Sequence, residues 1–142
     1  MKTEGDLNQI LGKKLKVLWP ELYHIKASDK FTLGISDFLL WYNSESAGLE
    51  TKLVLSTPSM RSKLLTHPFS GAQITFLESL SLTKNRGWGG VYVKETDSFY
   101  LIPYPEIPKT GNWKTEDFFA AKYKSVPLND VKALIGVIFG SK

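Results

Sequence analysis

The sequence contains no cysteine. Disulfides, thiol nucleophiles and thiolate metal sites are therefore excluded, and a metal would have to rest on oxygen ligands or on one of two histidines. No stretch approaches the roughly 18 consecutive apolar residues of a membrane-spanning helix, and the opening MKTEGDLNQI lacks the apolar core of a signal peptide. These absences point to a soluble, cytoplasmic protein. Internal repeats and low-complexity segments are missing as well. His24 falls in an apparent strand and His67 precedes Pro68, with no serine and aspartate arranged around either as a hydrolytic triad requires. GWGGVY lacks the lysine and hydroxyl that should follow a phosphate-binding loop.

What is present is the composition of an ordinary globular chain: 142 residues, 42% hydrophobic, 13% aromatic and 23% charged. That length suits one domain over residues 1–142 and leaves no room for a second. Eighteen lysines and arginines against fourteen acids leave a net charge of +4, which favours a polyanionic partner without requiring one.

Leu7, Ile10, Leu11, Leu15 and Leu18 recur at helical spacing, with Thr3 and Asp6 as a helix start and Pro20 as the stop. LYHIKA reads as a short strand and SDKFTLG as a loop. GISDFLLWYNSESAGLETKLV, Gly34 to Val54, then reads as two strands joined by a short polar turn, with both faces of the first strand apolar. After a polar connection, Ser70 and Gln73 start a second helix carrying Ile74 and Leu77 inward, and Gly87 to Gly90 end it. A second hairpin spans GGVYVKETDSFYLIPYP until Pro103, Pro105 and Pro108 stop the sheet, and the tail supplies one or two helices, the last starting at Asn129 or Asp130. The order predicts an α/β domain, a mixed sheet flanked by helices. Trp41 and Trp88 are expected in its core.

Three charges interrupt the apolar hairpin: Asp37, Glu50 and Lys52. Glu50 and Lys52 are two apart on one strand, so both side chains leave the same face, roughly 7 Å apart along it, while Thr51 points the other way. If Asn43 and Ser44 make a two-residue turn, Asp37 lies opposite Glu50 with Cβ atoms about 4.5–5.5 Å apart. A slip of one residue would dissolve the cluster. Two carboxylates so close need a positive charge between them, and Mg²⁺, which uses one or two carboxylates and keeps its waters, suits the pair better than Lys52 alone. Such a site can act on a phosphodiester. The plainer alternative makes Asp37 a turn residue and Glu50 with Lys52 a solvated edge pair.

At these residues the chain resembles the PD-(D/E)XK nuclease superfamily, and within it the VRR-NUC and phage Holliday-junction-resolvase-like group. The resemblance runs from about Glu4 to Val93: an acidic residue on an early helix, the approach YHIKASDKFTLGISDFLLW, GLETK as the E-x-K strand, HPFSGAQITFL leading a helix with a glutamine, and a glycine-rich turn into a strand. Serine stands at position 36, where the family favours proline. The resemblance implies a restriction-endonuclease-like fold and a DNA endonuclease using Mg²⁺ or Mn²⁺. Asp37 and Glu50 would be metal ligands, Thr51 would lend its backbone carbonyl, Lys52 would be the catalytic lysine, and Gln73 and Glu4 would complete the site. Glu4 also falls on the stripe of Leu7 and Leu11, and both Glu4 and Gln73 equally suit the plain roles of helix-end residues.

Lys13, Lys14, Lys16, Arg61, Lys63, Lys84 and Arg86 are candidates to line a DNA path. One E-x-K strand gives one site per chain, so paired cuts in branched DNA imply a homodimer, for which the apolar stripe of Val131, Leu134, Ile135 and Ile138 offers either core or interface. A nucleic-acid-binding module that does not cleave is the rival expectation.

Overall fold

The computed structural model describes residues 1–18, 20–26, 37–82, 86–107 and 113–140. The expected loop SDKFTLG and Lys84 lie outside those residues. Helix α1 (Glu4–Lys16) starts where the sequence says it should: Asp6 N–H donates to Thr3 Oγ1 at 3.1 Å, and Thr3 N–H donates back to the Asp6 carboxylate at 3.1 Å. It ends a turn before Pro20, because Val17 and Leu18 donate to carbonyls three residues back and tighten the chain. Leu7, Leu11 and Leu15 are fully buried along its inner side.

Strands β1 (Leu22–Lys26), β2 (Phe38–Tyr42) and β3 (Glu45–Val54) form an antiparallel meander. Asn43 and Ser44 both take positive φ, 48° and 64°, the left-handed two-residue turn whose twist matches a hairpin. That turn pairs Tyr42 with Glu45 and Phe38 with Leu49. A crossover through helix α2 (Gly71–Leu80) returns the chain to β4 (Gly87–Val93), which lies parallel to β3. A single 3₁₀ turn leads into β5 (Ser98–Pro103), and helix α3 (Thr115–Ala120), β6 (Ser125–Val126) and helix α4 (Val131–Phe139) follow. The sheet order is β1-β2-β3-β4-β5-β6, antiparallel throughout except at β3 and β4. The domain is thus the α/β fold with a mixed, helix-flanked sheet that the element order implied.

Each face of the sheet has its own core. On one, Leu7, Leu11 and Leu15 of α1 and Leu134, Ile135 and Ile138 of α4 pack against Phe38, Leu40, Leu49 and Phe99. On the other, Phe69, Ile74, Leu77, Trp113 and Phe118 pack against Val54, Val91 and Ile102. Among the described residues no helix is long and apolar enough to cross a membrane.

Of the two alternatives for the stripe of α4, the core one holds: Val131, Leu134, Ile135 and Ile138 are all buried. Three expectations change. Trp41 is 37% exposed and Leu39 only half-buried, because among the described residues α2 lies over β3 and β4 and not over β2. The tail holds a strand as well as helices, since a two-residue β6 is too short to show a period. Gly87 to Gly90, finally, are strand residues: an ideal Cβ on Gly87 would sit 2.5 Å from Leu77 O, and one on Gly89 would sit 2.9 Å from the Phe69 ring. The missing side chains let α2 and Phe69 settle directly on the sheet.

Gly87→Ala should therefore lower stability by about 1–3 kcal/mol through overpacking against helix backbone that cannot yield. Gly71→Ala, whose added Cβ meets nothing within 4 Å, is the control. Denaturant unfolding of the two variants checks this, and equal midpoints would refute the close packing.

Candidate active site

Because β2 and β3 are in the register set by Asn43 and Ser44, extending the pairs one residue past Phe38 and Leu49 brings Asp37 opposite Glu50. The contacts agree: Asp37 N–H donates to Glu50 Oε2 at 3.2 Å, and Thr51 N–H donates to Asp37 Oδ2 at 2.8 Å. The Thr51 hydroxyl proton is shared between Asp37 Oδ2 at 2.9 Å and Asn8 Oδ1 at 2.6 Å. Alternation along β3 sends Glu50 and Lys52 to the α2 face and Thr51 to the α1 face. Glu50, Thr51 and Lys52 are 3%, 0% and 5% exposed, so the solvated edge pair is not what forms.

Helix α2 contributes from above. Gln73 serves its cap, exchanging hydrogen bonds with Ser70, and its Nε2 also donates to Glu50 Oε1 at 2.5 Å. One amide meets both expectations for that residue, its carbonyl oxygen used by the helix and its NH₂ by the carboxyl. Lys52 Nζ lies 5.3 Å from the centroid of the Phe69 ring, a cation over an aromatic face in a nearly dry setting.

Burial, first, and then the neighbouring Asp37 push the Glu50 carboxyl up to about 9, against a partial pull downward from Lys52. Glu50 is thus protonated at neutral pH, hydrogen-bonded to the side chain of Asp37. A proton occupies the place a cation would take between two hard oxygen donors, and this donor chemistry fits Mg²⁺ or Mn²⁺ held by Asp37 and Glu50. Compared with protein-family models and with curated proteins, the sequence gives no match. The chemistry of this site therefore rests on its own geometry.

Glu4 stands half-buried in the first turn of α1, on the opposite side of the sheet from Glu50, and among the described residues no three histidine, aspartate or glutamate side chains gather to hold a metal. The α1 residue that does reach the site is Asn8, one turn further along and 6% exposed. It was legible as a polar residue spaced three and seven before Leu11 and Leu15 on the apolar stripe. Lys13, Lys14 and Lys16 occupy the last turn of α1, where the helix dipole favours them, on the face away from Glu50. Arg61 and Lys63 are exposed in the connection between β3 and α2, Lys63 bridged to Lys114, and Arg86 is tied to Ser46 at the start of β4. His24 is half-buried beside Phe38, and His67 is exposed in the β3–α2 connection.

The Glu50 shift has a signed consequence. Its pKa is raised on folding, so between about 4.5 and 9 the folded state holds a proton that the unfolded state has lost, and stability falls as pH rises through that window. Glu50→Gln should raise stability at pH 7 by about 1–2 kcal/mol and flatten this part of the pH profile. Thermal unfolding from pH 4 to 10 measures both, and an unchanged slope would mean that Glu50 is ionised in the folded protein.

Proposed function

We propose that the protein is a metal-dependent endodeoxyribonuclease. The observation that carries this reading is the meeting of Asp37 and Glu50 across the hairpin, with Lys52 on the same face and Gln73 donating into Glu50. The order in which the parts arrive also supports it: early helix, hairpin with E-x-K, helix with glutamine, parallel strand. These are the elements on which the resemblance to PD-(D/E)XK nucleases stands.

Asp37 is held by the backbone and hydroxyl of Thr51, and Glu50 by Gln73 and the Asp37 N–H, so both carboxyls are fixed before substrate arrives. A bound Mg²⁺ or Mn²⁺, for which Thr51 is expected to add its carbonyl, would supply positive charge at the scissile phosphate and a more acidic water. Lys52 places a second positive charge beside the carboxyls. Poorly hydrated against Phe69, its ammonium stabilises negative charge developing on a phosphate more strongly than a solvated lysine would.

The rival reading, a DNA-binding module on the same fold that does not cleave, draws on the fact that Gln73, Asp37, Thr51 and Asn8 already satisfy one another around a protonated Glu50. One site per chain still calls for two copies where both strands are cut, and with α4 buried that homodimer would use another surface.

Nicking of supercoiled plasmid in Mg²⁺ or Mn²⁺ decides between the readings. Asp37→Asn, Glu50→Gln and Lys52→Ala should each lower the rate by about 10²–10⁴-fold with the fold intact. Added Mn²⁺ should raise the wild-type melting temperature and fail to do so in Asp37→Asn. Wild-type rates in any of the three variants, or undiminished cleavage in excess chelator, would overturn the assignment.

A further inference from the structure

On the face of the sheet that carries Glu50, α2 packs, among the described residues, mainly on β3 and β4. The period of two puts Leu39 and Trp41 of β2 on that same face, in line with Asp37. Trp41 lies four residues beyond Asp37, about 13 Å along the strand. Its indole is 37% exposed, unlike the half-buried Trp88 and the buried Trp113.

Ser46 is the cross-strand partner of Trp41, so their Cβ atoms stand about 4.5–5.5 Å apart on one face. Arg86 Nη1 donates to Ser46 Oγ at 3.3 Å, which tethers a guanidinium across the strand from the indole. Arg86 Nε is buried and, among the described residues, has no hydrogen-bond partner. A guanidinium held in place by its neighbours is suited to a phosphate. A part-exposed aromatic, a fixed cation and a carboxyl pair thus lie along one strip of the sheet.

We infer that this strip seats an unpaired nucleic-acid strand, a base stacking on Trp41 and a phosphate held by Arg86, beside Asp37 and Glu50. The inference rests on the reading of those carboxyls as a DNA-cleaving site and adds the form of the substrate. A base in a duplex has both faces covered by its neighbours and can lie on an indole only by leaving the stack. A single strand, a flap or the unpaired arm of a branch offers its bases at no such cost. Arg86, the net charge of +4 and the adjoining site all favour a polyanion over an apolar protein partner on the strip.

Binding and cleavage separate the two readings. A labelled thymidine homopolymer and a blunt duplex of equal length are titrated with the full chain in chelator, following anisotropy and tryptophan fluorescence. The single strand should bind more tightly and quench the fluorescence. Trp41→Ala should weaken that binding by about 5- to 100-fold, and Trp41→Phe should restore most of it. Arg86→Gln should reduce the slope of log affinity against log salt by about 0.7. Equal binding of the homopolymer by wild type and Trp41→Ala, or wild-type preference for duplex, overturns the inference while leaving plasmid nicking free to support the nuclease. Trp41-dependent binding with no metal-dependent cleavage leaves the strand seat standing and removes the nuclease reading. Failure of the wild type to bind either oligonucleotide defeats the inference outright.

Discussion

Everything around the site depends on two carboxyls being held face to face, one of them where water barely reaches. Glu50 is 3% exposed and sits against Asp37, an arrangement that repels itself unless a proton or a cation intervenes. The chain meets this cost with hydrogen bonds: Gln73 and the Asp37 N–H to Glu50, and Thr51 to both Asp37 and Asn8. The network draws on α1, the hairpin and α2 together. It runs through the sheet, since Thr51 faces α1 while Glu50 faces α2.

A two-residue turn decides whether the carboxyls meet at all. With Asn43 and Ser44 both at positive φ, the sum of paired residue numbers across the hairpin is fixed, and Asp37 falls opposite Glu50. Asparagine tolerates that conformation, whereas serine there costs about 1–2 kcal/mol. The hairpin carries that strain because a slip by one residue would send Asp37 and the apolar set of β2 to the wrong faces. The second determinant is the pair Gly87 and Gly89. Without side chains there, the backbone of α2 drops onto β4 at Leu77, and one turn earlier Gln73 comes within hydrogen-bonding reach of Glu50.

Much of this was legible because it is local. The capping pairs at Thr3 with Asp6 and Ser70 with Gln73, the hairpin register, and the common face of Glu50 and Lys52 all follow from spacings of two to four residues. What spacing could not convey was which helix covers which strand. Glu4 lay on the stripe of α1, and so did Asn8. Only packing against Thr51 distinguished them, because α1 meets the sheet on the side away from Glu50. The exposure of Trp41 escaped for the same reason. An alternating apolar strand reads as buried on both faces whether or not a helix arrives to cover the second.

That uneven cover connects stability to the proposed function. The α1 side is closed by two helices over a continuous apolar floor, with Phe38, Leu40 and Leu49 fully buried. On the other side α2, aided by Phe69, lies mainly over β3 and β4 among the described residues. Had α2 reached over β2 as well, Trp41 would be buried. Less cover would have wetted Glu50 and Lys52 and weakened every charge interaction between them. The glycines of β4 let α2 come close enough to bury Glu50, while among the described residues its cover stops at β3 and β4 and Trp41 stays part-exposed.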